Sequence, residues 1–458
     1  MVAAALCIAL IAQQPPPPVT GTIVTAHAWV GRLGREMNDS IWPGFRPDTI
    51  PVLYVIKGAG TLVLGWHGAL PPGFTPFADH PDAGWQPSAD RGAASTGTEL
   101  GGHRAAQVVV SDSQDVASLV GLTTHEAFHV FRAGAKQENA FLVTSYPVFD
   151  PQNEAGMALE GRILAAAEMA HTREERRALA QQFLAVRESR QRALGAEMAD
   201  FEQLAELNEG LAEYTLVRAV QLAARYRSFP DRPGAEQVRA RKLTALQKLT
   251  EAVTLSIRLR FYATGPALGL LLDALEGPAW KTRLVEQNLT VQDALADASG
   301  YHTQEQTLRR QAETRFAMKQ LRSAADSGVA ALRAFRRAQV DSILAAPGVQ
   351  LVVTVAGRYL GLCGIDPQNL LQVGPGVLLH TRWLQACAGD AFQATFNTPV
   401  VQERETQTLR AVVGADSTVK VTTADDGSVR IESPLVSLKA TKADVSRDGR
   451  VLTVKIQP

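Results

Sequence analysis

One ten-residue stretch, Gly121–Val130, constrains the chain most, because it holds the pattern His-Glu-x-x-His at His125, Glu126 and His129. In an α-helix, positions i and i+4 lie one above the other on the same face. His125 and His129 can therefore present two imidazole nitrogens to one tetrahedral metal ion. Glu126 would then stand beside the open coordination position and accept a proton from a bound water. The stretch predicts a helix with a metal site on one face.

The flanking residues predict where this helix begins and ends. Ser111-Asp112-Ser113 follows the short apolar run Gln107–Val110 and can cap a helix. Gly134 can end it. Between these limits, apolar residues recur at helical spacing: Val116, Leu119, Leu122, Phe128 and Val130. The simpler alternative is a core helix whose two histidines are half-buried and bind no metal.

Length and charge bound the architecture. A chain of 458 residues exceeds what one hydrophobic core normally serves, which predicts two or three domains. Lys plus Arg number 46 and Asp plus Glu number 46, so no excess of positive charge points to nucleic acid or to an anionic membrane.

The N-terminus predicts export. Val2–Ala12 is an apolar run of signal-peptide length, far shorter than the ~20 residues of a stable membrane span. We expect residues 1–19, including Pro15–Pro18, to form a leader, and the protein to be secreted or periplasmic. The usual basic residues before the apolar run are missing, and a disordered N-terminus is the alternative.

The cysteines leave two possibilities open. Cys7 lies in the expected leader, which leaves Cys363 and Cys387. This pair could form a disulfide if the protein meets an oxidising compartment, or it could remain as two buried free thiols.

The region from Thr20 to Val110 predicts a small sheet that precedes the metal helix. Ile50–Ile56 and Gly60–Gly65 are rich in strand-forming residues, and Pro71–Pro87 is typical of a long loop. Four histidines in this region lack metal-ligand spacing, and we interpret them as surface or structural residues: His27, His67, His80 and His103.

Helical periodicity replaces the strand pattern between Glu154 and Arg225, and we expect an antiparallel pair of long helices. The second helix would carry Leu207–Tyr214. A catalytic zinc ion takes three protein ligands and leaves one position for water, so the two histidines require a third ligand from elsewhere in the chain. Glu209 is the candidate ligand. Glu213, one turn further on the same face, could hydrogen-bond the distal nitrogen of a ligand histidine.

Together, these two motifs resemble the gluzincin superfamily, the zinc peptidases that include thermolysin and aminopeptidase N. The third ligand of that superfamily is the Glu of an Asn-Glu sequence, which matches Asn208-Glu209. The following Gly-x-Ala looks like the aminopeptidase N branch, and the acid four residues on resembles thermolysin. The resemblance implies a zincin-like core and a Zn²⁺ cofactor, with His125, His129 and Glu209 as ligands and Glu126 as general base.

The spacing departs from that pattern. Between His129 and Glu209 lie 79 residues (209 − 129 − 1), many more than in those families, so residues 154–206 would form a helical insertion. Glu154 and Glu160 are alternative ligands that lie closer in sequence.

A later segment, Arg260–Leu268, resembles the Tyr-x-x-Gly-Ala segment of the aminopeptidase N group. The resemblance implies that Tyr262 stabilises the tetrahedral intermediate, and a phenol hydroxyl suits the charge that develops on oxygen. A core tyrosine is the alternative, and Tyr214 is a weaker candidate for the same role. No Gly-x-Met-Glu-Asn segment is present in the sequence, so aminopeptidase activity is not implied.

Residues Val291–Ala346 predict further helix, and strand patterns return after Pro347-Gly348. The clearest runs are Leu351–Val355, Thr418–Thr422, Val429–Glu432 and Val451–Ile456. The expected fold class is therefore α+β. A catalytic region would span residues 20–346, with a small sheet and a mostly helical middle, and a β-rich domain would span residues 347–458.

The leading functional hypothesis is an exported zinc metallopeptidase that acts on peptides or proteins. One alternative keeps the metal but hydrolyses a non-peptide amide or ester. Another is a non-catalytic scaffold of the cell envelope, which would hold no zinc.

Overall fold

The chain has a mixed fold, about 50% helical and 23% strand, with a helical middle and a β-rich C-terminal region. The computed structural model describes residues 17, 19–77, 80–87, 95–252, 257–302, 305–357, 359–365 and 369–457. The run Val2–Ala12 lies outside these residues. Within them, no helix combines the length and apolar character that a membrane crossing requires.

The chain divides into two compact units. The first comprises Met1–Glu138, Leu159–Glu251 and Arg258–Phe316. The second comprises Asn139–Ala158, Ala252–Ile257 and Ala317–Pro458.

The first unit begins with helix α1, Val19–Ile41, where the sequence pattern predicted strands and breaks. That prediction was wrong, because Ile23, Ala26, Val30 and Leu33 recur at helical spacing and form one buried face. Glycines in this segment obscured the pattern. Gly34 is used for close packing, since a Cβ atom there would overlap the side chain and backbone of Asp48.

A six-stranded sheet follows, in the order β3-β4-β2-β1-β6-β5. The predicted strands appear as β1 and β2, but the expected loop Pro71–Pro87 contains all of β3 and β4. β1 pairs in parallel with β6 and antiparallel with β2. The bounds are β1 Val52–Ile56, β2 Gly60–Leu64, β3 Thr75–Phe77, β4 His80–Pro87, β5 Thr96–Leu100 and β6 His103–Val110.

The motif helix α2 spans Val116–Phe131, so both of its ends differ from the prediction. The capping residue is Asp115, whose side chain accepts a hydrogen bond from the backbone N–H of Ser118 at 2.6 Å. Ser111 instead begins a turn in which its N–H donates to the Gln114 side chain. The helix ends before Gly134, with Arg132 as its C-terminal cap.

The helical middle contains more than the expected pair. Gly195, with φ of +94°, separates α4 from α5, so the segment Leu207–Tyr214 follows a third helix. A π turn at Glu206–Gly210 joins α5 to α6, so Asn208 and Glu209 do not lie in regular α-helix. The bounds are α3 Pro151–Met169, α4 Arg173–Leu194, α5 Ala196–Ala205 and α6 Leu211–Ala223.

The remaining helices are α7 Arg232–Lys248, α8 Ile257–Glu276, α9 Ala279–Glu286, α10 Val291–Ser299, α11 Glu305–Arg315 and α12 Met318–Ala345. They confirm the expected helix between Val291 and Ala346.

The strands of the second unit form two sheets, one of seven strands and one of six. Their buried side chains, such as Val353 and Phe396, form one shared core, which shows that the two sheets pack face to face. The predicted strands appear as β7 Gln350–Val355, β15 Lys420–Thr423, β16 Val429–Ser433 and β19 Val451–Ile456. The others are β8 Gly361–Ile365, β9 Leu370–Gly374, β10 Val377–His380, β11 Leu384–Cys387, β12 Phe392–Phe396, β13 Val400–Glu403, β14 Thr408–Val412, β17 Val436–Ala440 and β18 Ala443–Asp448.

A disulfide joins Cys363 on β8 to Cys387 on β11. The two strands are antiparallel neighbours in the six-stranded sheet. Of the two possibilities left open by the sequence, the structure has the bridged pair.

Candidate metal centre

The two histidines of the motif face each other on α2. The Nε2 atoms of His125 and His129 are 3.0 Å apart, as the i, i+4 spacing predicts. His125 is only 5% exposed, whereas the His129 side chain is 24% exposed. The pair therefore has one buried member and one member that solvent reaches.

Helix α6 lies directly against α2, and the π turn that precedes α6 brings the third candidate ligand to this pair. Gly121 permits the close approach, since a Cβ atom there would lie 2.8 Å from Cγ of Leu216. The Glu209 Oε2 atom is 3.7 Å from His125 Nε2 and 3.5 Å from His129 Nε2. The structure thus brings together residues that are distant in sequence.

The three distances can be compared with those in a tetrahedral zinc site. Zinc bonds of about 2.0–2.2 Å at tetrahedral angles place neighbouring donor atoms roughly 3.3–3.6 Å apart. The separations of 3.0, 3.5 and 3.7 Å lie on both sides of this range. The donor set, two imidazoles and one carboxylate, is also one that zinc accepts. By spacing and chemistry, these residues fit a zinc ion.

A second carboxylate lies beside the histidines. His125, Glu126 and His129 have potential ligand atoms within 4.8 Å of one another, so this group too could hold a metal ion. The Glu209 oxygen also lies within this limit, at 3.7 Å from His125 Nε2 and 3.5 Å from His129 Nε2. The two histidines thus have two neighbouring carboxylates, Glu209 and Glu126.

The π turn at Glu206–Gly210 positions Glu209. The Asn208 side chain donates to the Glu138 carboxylate at 2.6 Å and to the Lys136 carbonyl at 3.3 Å, which anchors the turn. On the other side, Gly210 touches Gly265 of α8, where a Cβ atom on either residue would meet the other backbone. Turns of the π type are rare and occur often at functional sites.

Glu213 lies one turn beyond the π turn, behind His125. Its Oε1 atom is 3.4 Å from His125 Nδ1, a buried nitrogen that has no closer hydrogen-bond partner. Its Oε2 atom forms an ion pair with the ammonium group of Lys242. Glu213 is thus placed to accept the Nδ1 proton of His125, as the sequence predicts.

Arg258 links Glu209 to Tyr262. Its guanidinium forms an ion pair with Glu209 Oε1, the carboxylate oxygen that does not face the histidines. Its Nε donates a hydrogen bond to the Tyr262 hydroxyl at 3.2 Å. The Tyr262 ring lies edge-on to His125, with ring centroids 6.2 Å apart. Arg258 and Lys242 belong to no sequence motif, so neither was predicted as a residue of the site.

Burial and mutual charge shift the pKa values of these groups. Burial raises the pKa of Glu126 to about 8, and Glu209 and Glu213 add to the effect. Burial, together with neighbouring His129, lowers the pKa of His125 to about 3. Burial alone would raise the pKa of Glu209, but its hydrogen bond to His129 and the charge of Arg258 outweigh it and lower the value to about 2.

The pKa of His129 shifts in the opposite direction from that of His125. Burial opposes its charged form, but the hydrogen bond and negative charge of Glu209 more than compensate, so its pKa is raised. Glu209 thus favours the charged form of His129, whereas burial favours the neutral form of His125.

The alternative residues have other partners. Glu160 is buried in an ion network in which it accepts hydrogen bonds from Arg187 Nε at 3.0 Å and Arg190 Nε at 2.6 Å. The Tyr214 hydroxyl donates to Asp273 at 2.7 Å. Glu154 belongs to the second compact unit. Neither Glu160 nor Tyr214 is thus directed at the histidine pair.

Comparison of the chain with models of protein families, with curated proteins and with solved structures finds no match.

Proposed function

We propose that this protein is an exported, zinc-dependent metallopeptidase of the gluzincin type. The observation that carries the proposal is the meeting of His125, His129 and Glu209, whose donor atoms lie 3.0–3.7 Å apart although 79 residues separate the second and third of them. Glu126 lies beside this triangle, buried and in the same donor group as the histidines.

A zinc ion bound by these three residues would supply a Lewis acid that polarises a carbonyl and lowers the pKa of water. The chain's own residues do the remaining work. Glu126 accepts the proton of the attacking water and passes it to the leaving amine. Its raised pKa in the metal-free site reflects burial beside two other carboxylates, so a bound cation would favour its ionised form.

Tyr262 would donate its hydroxyl proton to the oxygen on which negative charge develops. Arg258 supports this role, because it donates to the tyrosine oxygen and leaves the phenolic proton available for the substrate. Burial keeps the pKa of Tyr262 at about 12, so the group stays protonated at neutral pH. Glu213 would hold His125 in the tautomer that keeps Nε2 free for the metal.

The test uses the purified full-length chain and its Glu126→Gln variant. We expect the wild type to contain about one zinc ion per chain and to cleave members of a peptide library. In the variant, zinc should remain while kcat/KM falls by roughly 10²–10⁴-fold, since a carboxamide cannot accept the proton.

Glu174→Gln, an exposed change on α4, is the matched control and should leave both properties unchanged. A fully active Glu126→Gln variant, or a wild-type chain that binds no zinc, would overturn the proposal. Cleavage of ester or amide substrates without cleavage of peptides would reassign the substrate class.

A further inference from the structure

A separate cavity of about 290 Å³ lies among helices of the first unit, behind the candidate metal centre. Its walls come from α3, α4, α6, α7 and α8. None of the candidate zinc ligands lines it, and neither do Glu126 and Tyr262. Its volume is near the lower limit of ligand pockets, which are typically about 300–1,000 Å³.

The cavity has an apolar wall. Its aliphatic lining comprises Leu243 and Leu246 of α7, Leu270 and Leu271 of α8, and Val217 of α6. A set of aliphatic side chains around an open space favours a ligand with a short hydrocarbon chain.

The polar part of the lining carries a net positive charge. Arg176 of α4, Arg239 and Lys242 of α7 line the cavity, together with a single acid, Glu168. Burial raises the pKa of Glu168, and the charges of Arg239 and Arg176 oppose this shift, so the one acid of the lining faces both arginines. Within the described part of the chain, no ion pair or hydrogen bond holds either guanidinium group.

Lys242 connects the cavity to the candidate metal centre. Its ammonium lines the cavity and also pairs with Glu213, whose other oxygen lies 3.4 Å from His125 Nδ1. An anion in the cavity would compete with Glu213 for Lys242. Glu213 would then be a stronger acceptor for the His125 proton, which makes the imidazole a better metal ligand.

From the apolar wall and the excess of cations over acids in the lining, we propose that this cavity binds a small organic anion with an aliphatic chain, namely a medium-chain carboxylate. The carboxylate contacts Arg176, Arg239 and Lys242, and the hydrocarbon chain packs against the leucines of α7 and α8. Binding itself does not depend on the proposed peptidase activity. Its effect on zinc affinity rests on the proposed metal site.

The direct test is calorimetric titration of the metal-free full-length protein with octanoate. We expect saturable binding of about one octanoate per chain, and no comparable binding of 1-octanol or octyltrimethylammonium, which share the chain but not the charge. Arg239→Gln should weaken octanoate binding about tenfold, because it removes one charge-assisted contact from an exposed position. Lys248→Gln, an exposed change on the same helix, is the matched control and should bind as the wild type does.

A second variant tests the apolar wall. Ala267 lines the cavity, and Ala267→Met places a longer side chain into that space, so octanoate binding should be lost while the melting temperature stays close to that of the wild type. Equal binding of octanoate and octyltrimethylammonium, or unchanged binding by both variants, would overturn the assignment of this ligand.

The effect on the metal centre has its own readout. By reciprocity, octanoate and zinc should each tighten the binding of the other by the same factor. Zinc affinity, measured against a competing chelator, should therefore rise in the presence of octanoate, and this rise should be absent in Lys242→Gln. Octanoate binding without any change in zinc affinity would overturn the link through Lys242. The octanoate site itself would still be supported. Failure of zinc to bind at all would instead contradict the proposed function.

Discussion

Glu209 and Glu160 are both buried glutamates of the first unit, but they have different partners. Glu209 faces the histidine pair, whereas Glu160 faces Arg187 and Arg190. We expect Glu209→Ala to reduce zinc affinity by at least about 100-fold, because it removes one of three ligands. Glu160→Ala should leave zinc affinity nearly unchanged while lowering the free energy of unfolding by about 3–5 kcal/mol, since it leaves two buried arginines without their shared partner. Zinc titration and chemical denaturation of both variants measure the two effects, and the reverse order of zinc affinities would reassign the ligand.

The two histidines should compete with protons differently. The pKa of His129 is raised above its ordinary value of 6.5, while that of His125 is lowered to about 3. At a pH below the pKa of His129, this residue must lose a proton before it can bind zinc. His125 carries no such proton in the same pH range. In Glu126→Gln, which removes one neighbouring carboxyl group with a raised pKa, zinc affinity should fall about tenfold per pH unit between pH 6 and pH 5. A hundredfold fall in zinc affinity per pH unit would mean that two protons are released on binding, and would show that both imidazoles titrate in this range.

The residues at the site show how far sequence alone can predict. Spacing on a helix is a local property, so the sequence suffices to pair His125 with His129, and a second motif points to Glu209. Arg258 and Lys242 are found only in the fold, because their role depends on helices that approach each other in space. Their neighbours in sequence carry no signal of it.

At the scale of the elements, the meeting of the π turn with α8 requires two glycines. A Cβ atom on Gly265 would overlap the backbone of Gly210. This overlap can be relieved only if the π turn or α8 moves. We expect Gly265→Ala to lower the free energy of unfolding by about 1–3 kcal/mol. It should also weaken zinc binding, because Gly210, which would have to move, directly follows Glu209 in the sequence.

Gly21→Ala in α1 provides the control, since no atom lies within 4 Å of the new Cβ there. It should leave stability unchanged or raise it by about 0.5–1 kcal/mol. Thermal unfolding and zinc titration report both variants. A fully stable, zinc-binding Gly265→Ala protein would show that the helices have room to separate.

The elements also divide into those that local pattern predicts and those that it does not. β1, β2, β7, β16 and β19 follow their apolar runs closely, because these strands carry compact sets of branched side chains. The π turn has no such signal, since it differs from an α-helix by one inserted residue. Helix α1 was missed because its glycines are typical of breaks, although at least one of them serves packing against Asp48.

On the scale of the whole molecule, the disulfide and the candidate metal centre belong to different compact units. Cys363 and Cys387 are 24 residues apart, and a closed loop of this length contributes about 3 kcal/mol. The double variant Cys363→Ser and Cys387→Ser should therefore lose up to about 3 kcal/mol of stability in the unfolding of the β-rich unit. Zinc content should not change, because the three candidate ligands lie in the first unit.

The measurement is thermal unfolding of wild type and double variant with and without a reducing agent. Reduction should abolish the difference between the two proteins. A difference that persists under full reduction would mean that the serines, and not the missing bridge, cause the loss.

The 79 residues between His129 and Glu209 have a consequence for biosynthesis. When a nascent chain has emerged from the ribosome only as far as α2, it contains two of the three candidate metal ligands, His125 and His129. It acquires the third after the entire helical segment has been translated, and Tyr262 emerges later still. Translation that stops early therefore yields a fragment with the histidine motif but without a complete site, so hydrolytic competence would arrive only once most of the first unit has been made.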